Sequence, residues 1–424
     1  MKKAVSAVLL CLFALPLLFS MSIRSSREVH PFDSIPMLQA YYDESDDGNF
    51  SFWEGCEVSL LTISDGKPIY SWFGHAAIMV TTPDGRGYTF DYGTFSFDDE
   101  DFFVNFALGR LWFLCLSSNA RYHLSEVDAE GRTATKVVLP LTTEQKKAVI
   151  GFLNSNADAE NRVYLYHHYN DNCATRLRDI IDRTTDGAFQ TWARGIEGYT
   201  FRQQASRALS RNPFVLWGLD FLQSGQIDRK ATLWDEMFLP DMLEKGVMEY
   251  FGLGRETVAG NPDPQTRTAE KPQNNILFSL ILGLVIGGVS LVFIMTGCRR
   301  ANYIYRGIVL IVFGILGSVL LFMMLFTNHD VTWFNENIIF VNPVLIAIAV
   351  FCFMASGRRK SAAEWGKMVS LCDILLLFLM LLLVFMKVVA RRTFLQQNWN
   401  IIITMVLFYL PNAFAFKLDR KSVE

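Results

Sequence analysis

The sequence is poor in charge and in cysteine. Only 19 % of its 424 residues are charged, against about 25 % in an ordinary soluble protein. Seven cysteines are too few for a disulfide scaffold, and a net charge of −3 gives no basic field for nucleic acid. The His and Cys spacings match no zinc pattern, and there is no Gly-rich phosphate loop. We therefore expect no metal, no cofactor and no nucleic-acid partner.

The apolar residues, 51 % of the chain, are concentrated in particular segments. At the amino terminus, Lys2 and Lys3 precede an uncharged run over 4–23, and Ser20 and Ser22 place small residues at a possible cleavage site. This pattern predicts that residues 1–22 form a secretory signal peptide or a retained amino-terminal anchor.

The carboxy-terminal part contains five apolar stretches of 19 to 27 residues each. Four carry no charged side chain, and one carries only Asp373. Since about 20 helical residues span the hydrocarbon of a bilayer, we predict an all-α domain of five transmembrane helices. The predicted organisation is a catalytic domain over 23–253, a linker over 254–274, the transmembrane domain over 275–416 and a tail over 417–424.

The distribution of basic residues predicts the orientation of the helices. Segments 298–306 and 358–367 and the tail are basic, whereas 327–336 has no Lys or Arg. By the positive-inside rule, the basic segments and the carboxy terminus are cytoplasmic and the catalytic domain is outside. Lys387, Arg391 and Arg392 break the rule; they either meet anionic lipid headgroups or are tolerated exceptions.

A domain outside the cytoplasm is in an oxidising environment, where its three cysteines could form disulfides. Cys56 could pair with Cys115, but an odd number leaves at least one free thiol. Cys173 follows Asn170, Asp171 and Asn172, which are good N-cap residues for a helix over 174–183. A helix amino terminus favours the thiolate, and the polar lead-in argues against burial. Cys173 is therefore a candidate nucleophile.

A thiolate nucleophile needs a base and a group that orients the base. The segments around 75–81 and 88–93 predict a hairpin with His75 on one strand and Asp91 on the other. His75 is the candidate base, and Asp91 could orient its ring. His123, His167 and His168 compete for the same role, although the last two are close to Cys173 in the sequence.

Four segments together resemble the Lnb family of bacterial lipoprotein N-acyltransferases: 73–78 (FGHAAI), 90–95 (FDYGTF), 166–179 (YHHYNDNCATRLRD) and 218–228. The domain is also similar to circularly permuted papain-like (NlpC/P60) enzymes, in which a His precedes a helix-starting Cys. The resemblance implies an α+β papain-like domain outside the bacterial inner membrane, followed by the membrane domain. It also implies Cys173 as the acyl-accepting nucleophile and His75 as its base.

The implied reaction takes an acyl chain from a phospholipid donor to the α-amine of a diacylglyceryl lipoprotein acceptor. Asn172, Arg176 and Tyr92 are expected to contact substrate, with Arg176 near a lipid phosphate. The repeated Asn-x-Asn elements at Asn335 and Asn337 and at Asn398 and Asn400 could bind a headgroup or peptide amide, or could cap helix starts.

Two other hypotheses about the function remain open. A membrane-anchored papain-like cell-wall peptidase or amidase would use the same Cys and His with water as acceptor, but it leaves the membrane helices without a role. A non-enzymatic sensor or assembly factor would leave Cys173 inert.

Overall fold

The computed structural model describes residues 50–95, 101–261, 268–358 and 361–421. The predicted signal peptide or anchor at 1–22 lies outside the described residues, and so does the end of the predicted tail. The described chain consists of a mixed α/β amino-terminal domain and a helical carboxy-terminal region.

The described residues of the amino-terminal domain form nine strands. They are β1 (Glu57–Ile63), β2 (His75–Thr81), β3 (Gly87–Thr94), β4 (Trp112–Asn119), β5 (Ala134–Val138), β6 (Val163–Leu165), β7 (Glu197–Gly198), β8 (Ala231–Thr232) and β9 (Glu256–Ala259). Seven of them form an antiparallel sheet in the order β6-β4-β3-β2-β1-β5-β9, and a small second sheet pairs β7 with β8.

The described residues of this domain form ten helices. They are α1 (Phe50–Gly55), α2 (Phe102–Ala107), α3 (Ala120–Ala129), α4 (Thr143–Ala157), α5 (Cys173–Thr184), α6 (Ala188–Arg194), α7 (Phe201–Leu209), α8 (Pro213–Leu222), α9 (Leu233–Glu236) and α10 (Pro240–Phe251). One buried cluster includes Leu60, Ile78 and Phe90 from the sheet and Leu177 from α5. A second cluster covers the other face of the sheet, where Ala77 packs with residues of α3.

The predicted β2–β3 hairpin is confirmed. Its turn closes when the Thr82 N–H donates to the Arg86 carbonyl oxygen at 2.9 Å, and Gly85 supplies the positive φ of 82° that the turn needs. Opposite the turn, the open end of the hairpin carries His75. The local sequence thus places a histidine at one strand terminus of the sheet.

The segment predicted as a linker, 254–274, takes part in the domain. β9 lies within it and pairs with β5 at the edge of the sheet. Further along, the Ala269 N–H donates to the Arg207 carbonyl oxygen at 3.0 Å and the Gln273 N–H to the Ser206 Oγ at 2.9 Å. Its Pro and Gly content favours a linker locally, but pairing with β5 and α7 holds the described part of the segment in place.

The described residues of the carboxy-terminal region form five helices: α11 (Ile276–Met295), α12 (Arg299–Phe326), α13 (Val344–Ala355), α14 (Ala362–Val389) and α15 (Trp399–Lys421). Within the described residues, four spans are long and apolar enough to cross a membrane: α11, α12, α14 and 336–355, which includes α13. The apolar part of α15, Trp399–Ala413, is shorter. The prediction of apolar helices is confirmed for four; the fifth stays a prediction.

Two buried ion pairs account for charges that hydropathy alone leaves unexplained. Asp373, the single charge of its apolar stretch, accepts from Arg306, and both side chains are almost fully buried. Lys387, which breaks the positive-inside rule, donates to Glu336 and to the Gln396 carbonyl oxygen. A charge inside a membrane region is tolerated when it is paired within the protein. Lys387 is thus neither a headgroup contact nor a random exception.

Helix α8 of the amino-terminal domain is part of the buried core of the helical region. Trp217 and Phe221 of α8 belong to the same buried cluster as residues of α12, α13, α14 and α15. The Trp217 Nε1–H donates to the Thr404 Oγ1 at 3.2 Å. α8 therefore packs the amino-terminal domain directly onto the helical region.

Candidate thiol active site

Cys173 is the first residue of α5, as the sequence predicts. Asn172 is the N-cap: its Oδ1 accepts from the Thr175 N–H at 2.9 Å, and its own N–H donates to the Thr175 Oγ1 at 2.7 Å. The Asn172 Nδ2 donates to the carbonyl oxygens of His168 and Phe238 at 2.8 and 2.9 Å. These bonds fix where the helix begins, and hence the position of the sulfur.

His75 and Asp91 form a hydrogen-bonded pair on the hairpin. Asp91 pairs in register with Ala77, two residues after His75, so both side chains leave the same face of the sheet. The His75 Nε2 lies 2.6 Å from the Asp91 Oδ1. Sequence and strand alternation alone predicted this contact.

Cys173 lies beside the His75 ring: the two side chains border the same space next to Gly93 and interact electrostatically. Burial alone would lower the pKa of His75, but the negative charge of Asp91, then that of Cys173, and the hydrogen bonds to both raise it well above its usual value. The pKa of Asp91 is held below its usual value despite burial, chiefly by the charge of His75. The arrangement therefore favours a protonated His75 ring beside an ionised Asp91 carboxylate.

Cys173 is more buried than its polar lead-in suggests. Its exposed fraction is 7 %, and it belongs to the main core cluster. The expectation of an unburied sulfur is therefore wrong, and Tyr169 and Asn172 of the lead-in are themselves buried, at 6 % and 4 % exposed. Burial does not separate the sulfur from the imidazole, which remains its neighbour.

Gly93 and Tyr166 complete the immediate surroundings of the sulfur. Gly93 has φ +111°, and a Cβ placed there would lie 3.7 Å from the His75 Cε1, 3.9 Å from the Cys173 Cβ and 3.9 Å from the Tyr166 Cε2. The β3–β4 register also shifts between Tyr92 and Thr94. The glycine keeps open the space beside the pair. Sequence reasoning did not assign it a role, although a Gly two residues after Asp91 could have signalled a special backbone conformation.

His123 occupies a place that the sequence did not reveal. Its Nδ1 lies 3.1 Å from the Thr89 Oγ1, and its Nε2 lies 3.9 Å from the Asp91 Oδ2. Burial lowers the pKa of His123. His123 is thus beside the carboxylate that orients His75, and Asp91 lies between the two rings.

Asn172, Tyr92 and Arg176, predicted to contact substrate, lie in and around the start of α5. Tyr92 is buried in the core cluster. The Arg176 guanidinium donates to both oxygens of Asp171, at 2.6 and 2.9 Å, and lies 3.8 Å from the centroid of the Tyr164 ring. The side chains of Asn172 and Arg176 thus already form hydrogen bonds within the start of α5.

The four predicted asparagines lie at the junction of the two regions, each at most 5 % exposed. The Nδ2 groups of Asn335 and Asn337 donate to the Phe221 carbonyl oxygen at 3.0 and 2.9 Å. The Asn398 Nδ2 donates to the Asn337 Oδ1 at 2.6 Å, and the Asn400 Nδ2 to the Asp220 Oδ2 at 2.7 Å.

The carbonyl oxygen of Phe221 belongs to the last turn of α8, where helix carbonyls lack intrahelical partners. The amides of Asn335 and Asn337 satisfy it from the helical region. Asp220 also accepts from Arg202, which binds Asp228 as well. The asparagine repeat therefore forms hydrogen bonds between the two regions. The sequence alone could not distinguish this role from substrate binding or from capping of a helix start.

The other two cysteines of the domain are buried free thiols, and no bridge joins Cys56 to Cys115. Burial raises the pKa of Cys56 to about 11 and that of Cys115 to about 12. Among the described residues that act on either thiol, there is no histidine. Among the described residues, no group of three His, Cys, Asp or Glu side chains could hold a metal ion.

Two family models match the chain. The model of the Lnb N-terminal periplasmic domain matches residues 53–207, and that of the Lnb transmembrane domain matches residues 271–389. Comparison with curated proteins and with solved structures found no match. The first match includes His75, Asp91 and Cys173, and the amino-terminal domain is therefore periplasmic. Since the two matches together cover more than half of the sequence, in the order that the fold shows, the chain belongs to the Lnb family.

Proposed function

We propose that this protein transfers a fatty acyl chain from a membrane phospholipid, through a thioester on Cys173, to the amino-terminal amine of a diacylglyceryl-modified lipoprotein. The observation that supports it most directly is the contact of Cys173 with a His75–Asp91 pair in a domain packed on apolar helices. A thiol, a base and an orienting carboxylate are the parts that nucleophilic acyl transfer requires.

The proposed fold of the periplasmic domain is papain-like, with the cysteine at a helix start and the histidine on the sheet. In the proposed arrangement, the protein lies in the bacterial inner membrane, its carboxy terminus is cytoplasmic, and all five helices of the carboxy-terminal region cross the bilayer.

In the first step, the Cys173 thiolate attacks the ester carbonyl carbon of the phospholipid. The carbon–sulfur bond forms, the ester carbon–oxygen bond breaks, and the His75 imidazolium gives its proton to the leaving lysophospholipid oxygen. The negative oxygen of the intermediate would be stabilised by backbone N–H groups at the start of α5, where the Thr175 N–H is already used by Asn172.

In the second step, the neutral lipoprotein amine attacks the thioester carbonyl carbon. The amide bond forms, His75 takes a proton from the nitrogen, and the Cys173 thiolate leaves. The pair returns to its starting state, a thiolate beside an imidazolium, with no cofactor needed.

The remaining predicted residues have supporting parts in this proposal. Arg176, whose side chain is 28 % exposed, would meet the phosphate of the donor. Asn172 would hold Cys173 in position as the N-cap of α5, and Tyr92 would pack in the core below the site. The asparagine pairs at 335/337 and 398/400 would hold the domain at the height of the lipid headgroups.

The proposal is tested in cells that lack lipoprotein N-acylation, by mass spectrometry of a reporter lipopeptide. The wild-type chain is expected to add one acyl mass, and Cys173→Ala is expected to abolish the addition, a loss of at least about 10⁴-fold. Cys298→Ala, which removes an exposed thiol outside the site, serves as the matched control and should retain activity.

Two outcomes would contradict the proposal. Cleavage of muropeptides without an acyl gain would favour the peptidase or amidase. Full acyl transfer by Cys173→Ala would remove the nucleophile and the thioester together.

A further inference from the structure

Helix α2 is an apolar helix that covers no core. Its sequence is FFVNFA, and none of its residues is buried. Phe103 is 68 % exposed, and Val104 and Phe106 are each 47 % exposed. A cluster of exposed large apolar side chains on a folded domain marks a binding surface or a membrane contact.

The helix is attached to the loop that follows membrane helix α12. The Asn328 N–H donates to the Leu108 carbonyl oxygen at 2.8 Å, and the His329 Nε2 lies 2.9 Å from the Phe106 carbonyl oxygen. Since α12 ends at Phe326, two residues before Asn328, α2 is held where α12 leaves the bilayer on the periplasmic side. Its exposed apolar side chains therefore lie next to the periplasmic end of α12, where a membrane-spanning helix would meet the outer-leaflet lipids.

A run of aromatic rings connects this helix to the sulfur. We call Phe106, Phe102, Phe95, Phe113 and Tyr166 the aromatic track. Along it, successive ring centroids lie 6.0, 5.5, 4.9 and 4.4 Å apart. The last ring contacts the space beside Gly93, which the Cys173 Cβ and the His75 ring also border. The track therefore runs from the exposed face of α2 to the space beside Cys173 and His75.

We propose that the aromatic track and the exposed face of α2 bind the acyl chain of an outer-leaflet phospholipid. The inference rests on the proposed function and adds to it the place where the phospholipid donor binds. A chain that becomes esterified to Cys173 must extend from the sulfur along an apolar surface, and the track is continuous from the sulfur to the lipid. Gly93 leaves room for the ester carbonyl beside Cys173. The phospholipid donor thus needs to leave the bilayer only in part, because its acyl chain contacts apolar side chains along the whole track.

The location is tested by photo-cross-linking of the full chain with Cys173→Ala, reconstituted in vesicles of a phosphatidylglycerol that carries a diazirine on its acyl chain. Mass spectrometry is expected to find label on peptides that contain α2, Phe113 or Tyr166, in addition to the membrane helices. Label confined to the membrane helices would overturn the inference. So would label on the track that appears only when the diazirine is carried by a diacylglyceryl lipopeptide. Since this variant cannot form a thioester, the result does not depend on the chemistry of the proposed function.

The contribution of the track is tested by Phe102→Ala, with Tyr122→Ala as the matched control. Tyr122 is a 63 % exposed aromatic residue on α3, outside the track. Formation of the Cys173 acyl-enzyme is followed with a palmitoyl phospholipid and with a water-soluble butyryl ester. Phe102→Ala is expected to slow the palmitoyl reaction about tenfold and to leave the butyryl reaction unchanged, whereas Tyr122→Ala should slow neither.

Equal slowing of both esters by Phe102→Ala, or of neither, would contradict a role in chain binding. Failure of the wild-type chain to acylate Cys173 with either ester would refute the proposed function, and the cross-linking result would then decide the location of lipid by itself.

Discussion

Among the described residues, two histidines each lie within hydrogen-bond distance of an aspartate, with similar geometry and different surroundings. The His75 Nε2 lies 2.6 Å from the Asp91 Oδ1, and the His167 Nε2 lies 2.9 Å from the Asp330 Oδ1. The first pair is formed within one hairpin. The second joins the periplasmic domain to the loop after α12, across 163 residues of sequence.

The difference between the pairs lies in the second ring nitrogen. The His167 Nδ1 accepts from the backbone N–H groups of Tyr169 and Asn170, at 3.2 and 3.0 Å. Both of its nitrogens are therefore used, and the ring is held as a structural connector. The ring of His75 has only one bond to a carboxylate, and Cys173 is its other partner. A His–Asp pair becomes a candidate base only where the other nitrogen faces a nucleophile.

The largest expected difference between the pairs is in activity. His75→Ala should slow formation of the Cys173 acyl-enzyme by about 10²-fold to 10⁴-fold, the usual contribution of a general acid–base. His167→Ala removes a contact between the two regions and should slow it by less than about tenfold. Acyl-enzyme formation is measured by intact-protein mass spectrometry after mixing with a phospholipid. Equal losses in the two variants would show that the pairs do not differ in the way proposed.

The next effect is on pH dependence and arises from Asp91. Since the charge of Asp91 raises the pKa of His75, Asp91→Asn should lower that pKa. The His75 ring of this variant then loses its proton at a lower pH than in the wild type. Because the protonated ring donates to the leaving group, the rate of acyl-enzyme formation should begin to fall at a lower pH. The favourable His75–Asp91 interaction stabilises the fold fully below the pKa of a free histidine and is lost as pH rises through the raised pKa.

Asp330→Asn is the matched control for the pH profile, because it changes the carboxylate of the other pair. The rate is measured against pH for wild type and both variants. The alkaline limb of Asp330→Asn should coincide with that of the wild type. A shift of equal size in both variants would mean that Asp91 does not set the protonation of the base.

The smallest expected effect is on stability. The His167 and Asp330 side chains are 27 % and 36 % exposed, and a single side-chain hydrogen bond contributes about 1 kcal/mol net. Asp330→Asn should therefore lower the free energy of unfolding by less than about 1 kcal/mol, as measured by thermal unfolding in detergent. A markedly larger loss would show that this pair, rather than the buried asparagines, carries the contact between the regions.

Much of the periplasmic domain could be predicted because its signals are local. The hairpin follows from alternation and a Gly-containing turn, and α5 follows from Asn172 as N-cap. α4 begins where the Thr142–Gln145 capping box indicates. The pairing of His75 with Asp91 needed only strand alternation, which is why the sequence could predict it.

Other features depend on residues far apart in the chain, and no local signal reports them. The edge strand β9 lies in a segment whose composition favours a linker. The position of Lys387 is explained only by Glu336, and the roles of Asn335 and Asn337 only by the end of α8. His123 beside Asp91 likewise required the packing of α3 on the sheet.

The sequence by itself determined the apolar helices, the hairpin with its histidine and carboxylate, and the cysteine at a helix start, because each is specified by residues within one or two turns or strands. Only the tertiary structure decided which histidine meets the sulfur, how deeply the sulfur is buried, and which polar groups join the two regions. These depend on contacts between distant segments, where one buried amide or charge is satisfied by a partner that the local sequence does not specify.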